Sequence, residues 1–293
     1  MSNNASKLVK AMEIWGDRTL SYPTGQFNRS AIIQVPNVAI YSDKLDFEFE
    51  VSFDDDVEAN EAEITIYNLS DTTVKQFKVD TSITITAGYK DDTGVIFKGV
   101  ISKATTKFDG VDRITKISAF DDMRLKDKKI ESISYASGTK ASYILKDLLK
   151  KMPLPLAEFK PARDWTYKDQ TSVDGDLMQS IKQYADVCGI SVYINKGQIY
   201  ARSLKVGDNI KFTVEADTGL IGSPEEYEEE STAEDYKDVI HGYKFQMLLQ
   251  HRMTTAAIIN LKSRNVSGKY RVKKGKHIFN ESEAITELEV IDA

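Results

Sequence analysis

Apolar and polar residues alternate along most of the chain, and the alternation is most regular in residues 45–53. That stretch places Phe47, Phe49, Val51 and Phe53 on one side of an extended backbone, with mainly acidic residues between them. Because successive side chains of a strand point to opposite faces, the pattern predicts a strand with one face in a hydrophobic core.

Further strands are predicted on both sides of this one, separated by turn residues such as Asp109-Gly110. They lie at residues 31–35, 37–41, 62–68, 82–89, 95–101 and 113–120. Strands joined by short turns favour a small antiparallel barrel or sandwich. We therefore predict a first β domain, either a barrel or a sandwich, at residues 27–125, whose core and wall come from residues 45–53 and 83–89.

The period changes to that of a helix after residue 136. One apolar stripe lies within residues 137–150 and consists of Ala141, Ile144, Leu145, Leu148 and Leu149. A second helix is predicted to begin after Asp174 or Asp176 and to end at Cys188, because Gly189 stands where a C-terminal cap belongs. A hairpin follows at residues 190–203. The sequence thus predicts a small α+β domain at residues 136–204.

The last third of the chain returns to strand patterns and predicts a second β module at residues 205–293, which the family resemblance described below implies is a β-barrel domain. Its strands are expected at 211–215, 239–249, 255–261, 268–272 and 284–291, and residues 246–250 and 256–261 should carry its core and wall. Residues 219–224 read as a turn-rich joint, and the acidic run 225–230 as a solvated mobile loop. The basic run 269–277 reads as a charged strand at a sheet edge, where lysines discourage unwanted pairing.

Residues 1–26 form an N-terminal arm in this division. Leu8, Met12 and Trp15 are spaced either for a short helical stripe or for a docking arm, and both interpretations stay open. The polar start contains no apolar stretch of a secretion signal, and no run approaches the ~18 apolar residues of a membrane span. We expect a protein made in the cytoplasm, without membrane insertion.

Composition excludes some classes of function. The 293 residues carry a net charge of −6, which argues against sequence-blind nucleic-acid binding. A single cysteine, Cys188, excludes an internal disulfide and is expected to be a small buried side chain. The mainly β chain is long enough to bury a sizeable core.

No chemical motif emerges from the sequence. His241, His251 and His277 lack the spacing of a metal site or a catalytic triad, and we expect all three to be structural or surface residues. The acidic loops 54–56 and 91–94 have oxygen ligands but not the spacing of a calcium loop. We predict no catalytic, metal or cofactor site and a structural, non-enzymatic role.

Several segments resemble phage baseplate hub proteins, the central tail proteins of contractile-tailed phages and of phage-tail-like particles. Residues 60–70, 85–89 and 94–101 resemble the first domain of that family. Residues 217–224 resemble its inter-domain joint, and residues 266–277 with 286–290 resemble its closing strands. The resemblance extends over residues 30–291, in the order of the family.

That resemblance implies a mechanical role in a virion tail. Family members carry two barrel domains similar to tail-tube subunits, and three chains form a ring of six barrels. The ring joins the sixfold tube to the threefold central spike, with an acidic channel through which DNA passes without specific binding. The implied partners are two further copies, the tube protein, the spike protein and baseplate wedge proteins, in a virion assembled in the bacterial host. The α+β unit is expected outside the ring.

Three other functions are compatible with the residues alone. One is a distal tail adaptor of a non-contractile phage, and another is a receptor- or carbohydrate-binding tail module. The third is a tail-associated cell-wall hydrolase, which requires a pocket with two carboxylates or a zinc set.

Overall fold

A computed structural model describes residues 28–56, 58–89, 91–121, 128–195, 197–203, 205–230 and 239–293. The arm predicted at residues 1–26 lies outside these ranges. The described chain is mostly antiparallel β-structure, as its alternation predicts. Within it, no helix is long and apolar enough to cross a membrane.

The first β unit consists of seven strands and one short helix. They are β1 (Arg29–Val35), β2 (Val38–Tyr41), β3 (Phe47–Phe53), β4 (Glu61–Tyr67), α1 (Asp71–Val74), β5 (Ser82–Tyr89), β6 (Asp92–Asp109) and β7 (Asp112–Phe120). The predicted alternation of residues 45–53 is confirmed, since Phe47, Phe49, Val51 and Phe53 are all buried. Strand β6 has 18 residues and is more than twice as long as the predicted strand 95–101.

The helical segment follows, with its own hydrophobic cluster. It comprises β8 (Lys129–Tyr135), α2 (Ala141–Leu149), β9 (Leu156–Lys160), β10 (Thr171–Asp176), α3 (Leu177–Cys188), β11 (Ser191–Asn195) and β12 (Gln198–Arg202). The predicted stripe of α2 is buried throughout. Asp176 caps α3 by accepting a hydrogen bond from the Gln179 N–H at 2.9 Å, and Gly189 ends the helix with φ 65°. Strands β8, β9 and β10 were not predicted.

The second β unit contains six strands and a short 3₁₀ helix, Ala216–Thr218. The strands are β13 (Asp208–Val214), β14 (Leu220–Glu230), β15 (Val239–Leu248), β16 (Ala257–Lys262), β17 (Ser267–Phe279) and β18 (Ala284–Asp292). As predicted, Met247, Leu249, Ile259 and Leu261 are buried.

Strands of both units belong to one hydrogen-bonded sheet. Its order is β14-β15-β18-β17-β3-β4-β7-β6-β5-β1-β2, with β16 and β13 branching from β17. Among the described strands this path does not close on itself. Strands β8 and β10 form a two-stranded sheet, and β11, β12 and β9 form a three-stranded one.

Two interpretations of the last third were wrong. The predicted turn 219–224 and loop 225–230 together form strand β14, which pairs with β15 and has a register shift between Ile221 and Glu225. The backbone of β14 finds a partner in β15, and its carboxylates reach solvent, so charge does not prevent a strand here. The basic run is not a sheet edge either, because β17 lies between β18 and two other partners.

Strand β17 contributes to the cores of both β units. Its last residue, Phe279, lies in the first core, where its ring stacks on Phe49 at 5.3 Å and on Phe47 at 5.7 Å between centroids. In return, Phe53 of β3 belongs to the second core. The two units therefore share side chains as well as backbone hydrogen bonds.

Replacing Phe49 by alanine tests this shared packing. Phe49→Ala removes a buried ring from the stack, so the free energy of unfolding should fall by about 3–5 kcal/mol in denaturant titration. Trp165→Ala is the matched control, because Trp165 is 59% exposed and its loss should cost less than about 1 kcal/mol. Equal losses in the two variants would contradict the assignment of Phe49 to a common core.

Candidate assembly interface

Of the residues with possible chemistry, His251 lies beside an acidic side chain, with 3.7 Å between its Nδ1 and the Asp92 carboxylate. Cys188 is buried on α3, and desolvation raises the pKa of its thiol to about 11. His241 is exposed beside Glu228, with 3.1 Å between Nδ1 and the carboxylate. The described residues contain no group of three or more His, Cys, Asp or Glu able to hold a metal ion.

His277 is fully buried in β17, within a hydrogen-bond chain that fixes its tautomer. Its Nε2–H donates to the Met253 carbonyl at 3.1 Å, so Nδ1 accepts from the Thr286 hydroxyl at 2.9 Å. That hydroxyl accepts in turn from the Gln250 N–H at 3.1 Å. Burial lowers the pKa of His277 to about 4, because the site has no room to solvate a charged ring. The expectation of a structural histidine is confirmed here.

The acidic residues considered for calcium are used in ion pairs instead. Asp55 binds Arg271 at 2.9 Å, and Asp56 binds Lys182 of α3 at 3.0 Å. Asp92 binds Arg252 at 2.7 Å. Each pair joins the first β unit to another part of the chain.

A buried polar cluster lies where the three parts of the chain meet. Arg271 of β17 is fully buried and donates to Asp55 at 2.9 Å and to the Val206 carbonyl at 3.1 Å. Its guanidinium lies 5.7 Å from the ring of Tyr193 in the helical segment. Burial raises the pKa of Asp55, and the positive charge of Arg271 opposes that rise.

Arg202 extends the same cluster. Its Nε donates to the Tyr193 hydroxyl at 2.8 Å, and its terminal nitrogens bind Glu158 and Asp208, each at 2.8 Å. Because Asp208 begins the second β unit, this side chain links that unit to the helical segment. A buried guanidinium needs such partners, so the parts can meet in few other orientations.

The two β units are joined by direct pairing of β17 with β3. Five residue pairs connect the strands, from Gly275 opposite Phe53 to Phe279 opposite Phe49. On the face away from the cores, Lys276 binds Glu50 at 2.9 Å. Glu289 lies between Lys244 and Lys274, at 3.0 and 3.2 Å. Charges on this face are therefore paired across strands.

That face is concave and encloses a groove of about 730 Å³. Its lining includes Ser52, Gln246, Glu287 and Glu289 together with the lysines Lys244, Lys274 and Lys276. Because lysines and glutamates both line the groove, its surface has no single dominant sign of charge.

The two β units repeat the same strand order. In the first unit, the order is β3-β4-β7-β6-β5; in the second, it is β14-β15-β18-β17-β16. The long hairpins agree in detail, because β6 shifts register against β7 between Ile101 and Lys103, and β17 shifts against β18 between Val272 and Lys274. The chain thus contains two copies of one β architecture with little common sequence.

A family model described as baseplate hub gp41 matches residues 59–277, three quarters of the chain. The chain belongs to the baseplate hub gp41 family. The resemblance to phage baseplate hub proteins is therefore confirmed. The sequence matches no curated protein.

Solved tail proteins share the fold of this baseplate hub protein. The tail protein from Neisseria meningitidis MC58 is 9% identical with a TM-score of 0.61, over 91% of this chain and 97% of that one. The 43 kDa tail protein of prophage MuSo2 from Shewanella oneidensis is 5% identical with a TM-score of 0.64, over 90% and 98%.

A third similar structure comes from E. coli. That protein is described as a component of the type VI secretion system, with structural similarity to the T4 tail proteins gp27 and gp5. It is 10% identical with a TM-score of 0.60, over 89% of this chain and 76% of that one. Identities this low show a common fold alone.

Removing the buried guanidinium tests the polar cluster. Arg271→Met leaves the Asp55 carboxylate buried without its partner, so the free energy of unfolding at pH 8 should fall by about 3–5 kcal/mol. The double variant Arg271→Met/Asp55→Leu should regain most of that loss, because neither charge is left unpaired. A double variant as unstable as the single one would show that Asp55 is not the main partner.

The stability of the protein should depend on pH through His277. Its folded pKa of about 4 lies below the ordinary 6.5, so between these values the unfolded chain binds a proton that the folded chain does not. As pH falls from 6.5 to 4, this residue should remove about 3 kcal/mol of stability. His277→Gln should lack this component in denaturant titrations at several pH values. His241→Gln is the exposed control and should keep the wild-type profile.

Proposed function

We propose that the protein is the central hub of a phage tail baseplate. Three copies form a ring that joins the sixfold tail tube to the threefold central spike and continues the DNA channel. Membership of the baseplate hub gp41 family supports this role. The observation that carries the proposal is the repeated strand order of the two β units, because a threefold ring of such chains presents six similar units.

In this proposal the two β units act as tail-tube-like barrel domains at residues 27–125 and 205–293. The pairing of β17 with β3 sets the spacing of the two units within a chain. The helical segment has its own hydrophobic cluster, which supports its treatment as a separate α+β domain at residues 136–204. It lies outside the ring, available to wedge proteins or to the neighbouring copy.

The concave face across β3, β17, β18 and β15 is our candidate for the channel wall. Its lysines are held by glutamates, as in the pairs Lys276–Glu50 and Lys274–Glu289. A wall of paired charges offers DNA phosphates no continuous positive surface, so the genome can slide past without being bound. This differs from the acidic channel that the family resemblance implies.

Such a hub works by shape and requires no reactive group. Its partners are the tube, the spike and the wedge proteins, and its location is the baseplate of the virion. Mixed charges in the groove and the engagement of Asp55, Asp56 and Asp92 in ion pairs support a non-catalytic role over that of a wall hydrolase. Purified protein is accordingly expected to leave cell-wall material intact.

The oligomeric state tests the ring. The chain has a mass of 33.0 kDa, so a trimer should appear at three times that value, about 99 kDa, in light scattering of the purified protein. The same measurement with tube or spike protein added should show a complex containing three copies. A stable monomer that binds neither protein would contradict the proposal.

A further inference from the structure

Within the chain, the two β units are joined through the second half of the long strand β17. The first half of β17 pairs with β16, up to Arg271. The second half, from Gly275 to Phe279, pairs on that same side with β3. The opposite side of β17 is paired with β18 from Tyr270 to Phe279.

In the repeated strand order, β6 is the counterpart of β17, and β14 is the counterpart of β3. Strand β6 pairs with β5 from Asp92 to Val100 and, on its other side, with β7 from Val100 to Asp109. From Lys103 onwards, β6 has no strand on the β5 side among the described residues. Likewise β14, the counterpart of β3, pairs only with β15 in the described part of the sheet. The two strands that pair inside the chain, β17 and β3, thus have counterparts, β6 and β14, whose corresponding edges are unpaired among the described strands.

We propose that the second half of β6 in one copy pairs with β14 of the next copy, in the register of the β17–β3 joint. The inference rests on the proposed ring, for which it names the contact between copies. The ring then consists of six equivalent joints, three within chains and three between them.

The repeat also fixes the register. Lys103 opposite Ser118 corresponds to Lys274 opposite Glu289, and Glu225 opposite Lys244 corresponds to Glu50 opposite Glu63. In the chain, Ile278 lies opposite Glu50. Lys107 corresponds to Ile278 and Glu225 corresponds to Glu50, so the joint between copies places Lys107 opposite Glu225. Two residues along, it places Thr105 opposite Tyr227, and then Lys103 opposite Glu229.

The side chains brought together in this way are complementary. Lys103, Lys107 and Glu225 are exposed and have no ion-pair partner within the described chain. Glu229 is already paired with Lys273, so the contact between copies gives this carboxylate a second lysine partner, Lys103. Opposite charges facing each other across strands stabilise the pairing.

The tip of the β6–β7 hairpin supports the same contact. Phe108 is 73% exposed and Val111 is 96% exposed, which is unusual for large apolar side chains at a free edge. Phe108 corresponds to Phe279, which lies opposite Phe49 in the chain. The equivalent position between copies is Pro224, so the contact covers the Phe108 ring with an apolar neighbour.

Engineered cysteines test the register. In Lys107→Cys/Glu225→Cys the two thiols of neighbouring copies lie on directly opposite residues, whose Cα atoms are about 5 Å apart, a separation that a disulfide spans. Cys188 is buried and does not compete. Mild oxidation of the assembled protein should give a ladder on denaturing gels that ends at a covalent trimer. Lys116→Cys/Glu225→Cys is the matched control, because Lys116 is exposed on the next strand, about 5 Å farther away, and should stay uncross-linked.

Charge reversal gives an independent readout. Lys107→Glu and Glu225→Lys should each weaken trimer formation by about fivefold or more at low salt, since each places like charges across the joint. A chain carrying both reversals should regain the wild-type affinity. A trimer that forms no cross-link and shows no rescue overturns the assignment of these edges and leaves the ring in place. A wild-type chain that stays monomeric overturns the ring itself, and this inference with it.

Discussion

The pairing of β17 with β3 holds the two β units in a single sheet and fixes their relative orientation. Its five backbone pairs are supported from one side by the ring stack of Phe47, Phe49 and Phe279, and from the other by the Lys276–Glu50 ion pair. Because a shift of one residue would exchange these two faces, the register is strongly determined. Every property that we assign to the hub depends on that fixed geometry.

Buried charge adds a second restriction at the same place. Arg271 of β17 lies at the junction and is paired with Asp55, while Arg202 is paired with Asp208 and Glu158. Such pairs contribute little net stability, because desolvation offsets their attraction. These ion pairs restrict the relative orientation of the three parts, since any other arrangement leaves a guanidinium or a carboxylate buried without a partner.

Local patterns in the sequence predict most strands and both longer helices, but not the contacts between distant segments. Strand β3 and helix α3 follow directly from period and capping residues. Strand β14 was read as a turn and a loop because its glutamates resemble a solvated run, and only its pairing with β15 makes it a strand. The partner of Arg271 lies 216 residues away in the sequence, so nothing near Arg271 indicates that it is buried. The repeat of the β units is equally hidden, since strand order requires alternation and not identical residues.

Charge on the two free edges also limits how copies can meet. The free half of β6 carries Lys103 and Lys107, whereas β14 carries Glu225, Glu226, Glu228 and Glu229. Two β6 edges repel each other, and so do two β14 edges, which disfavours the symmetric face-to-face dimers that open sheets readily form. Opposite charges on the second half of β6 and on β14 favour a head-to-tail contact, and such a contact closes into a ring when its rotation allows. In the proposed ring of three chains, the joint inside each chain and the joint between copies turn like units by the same angle.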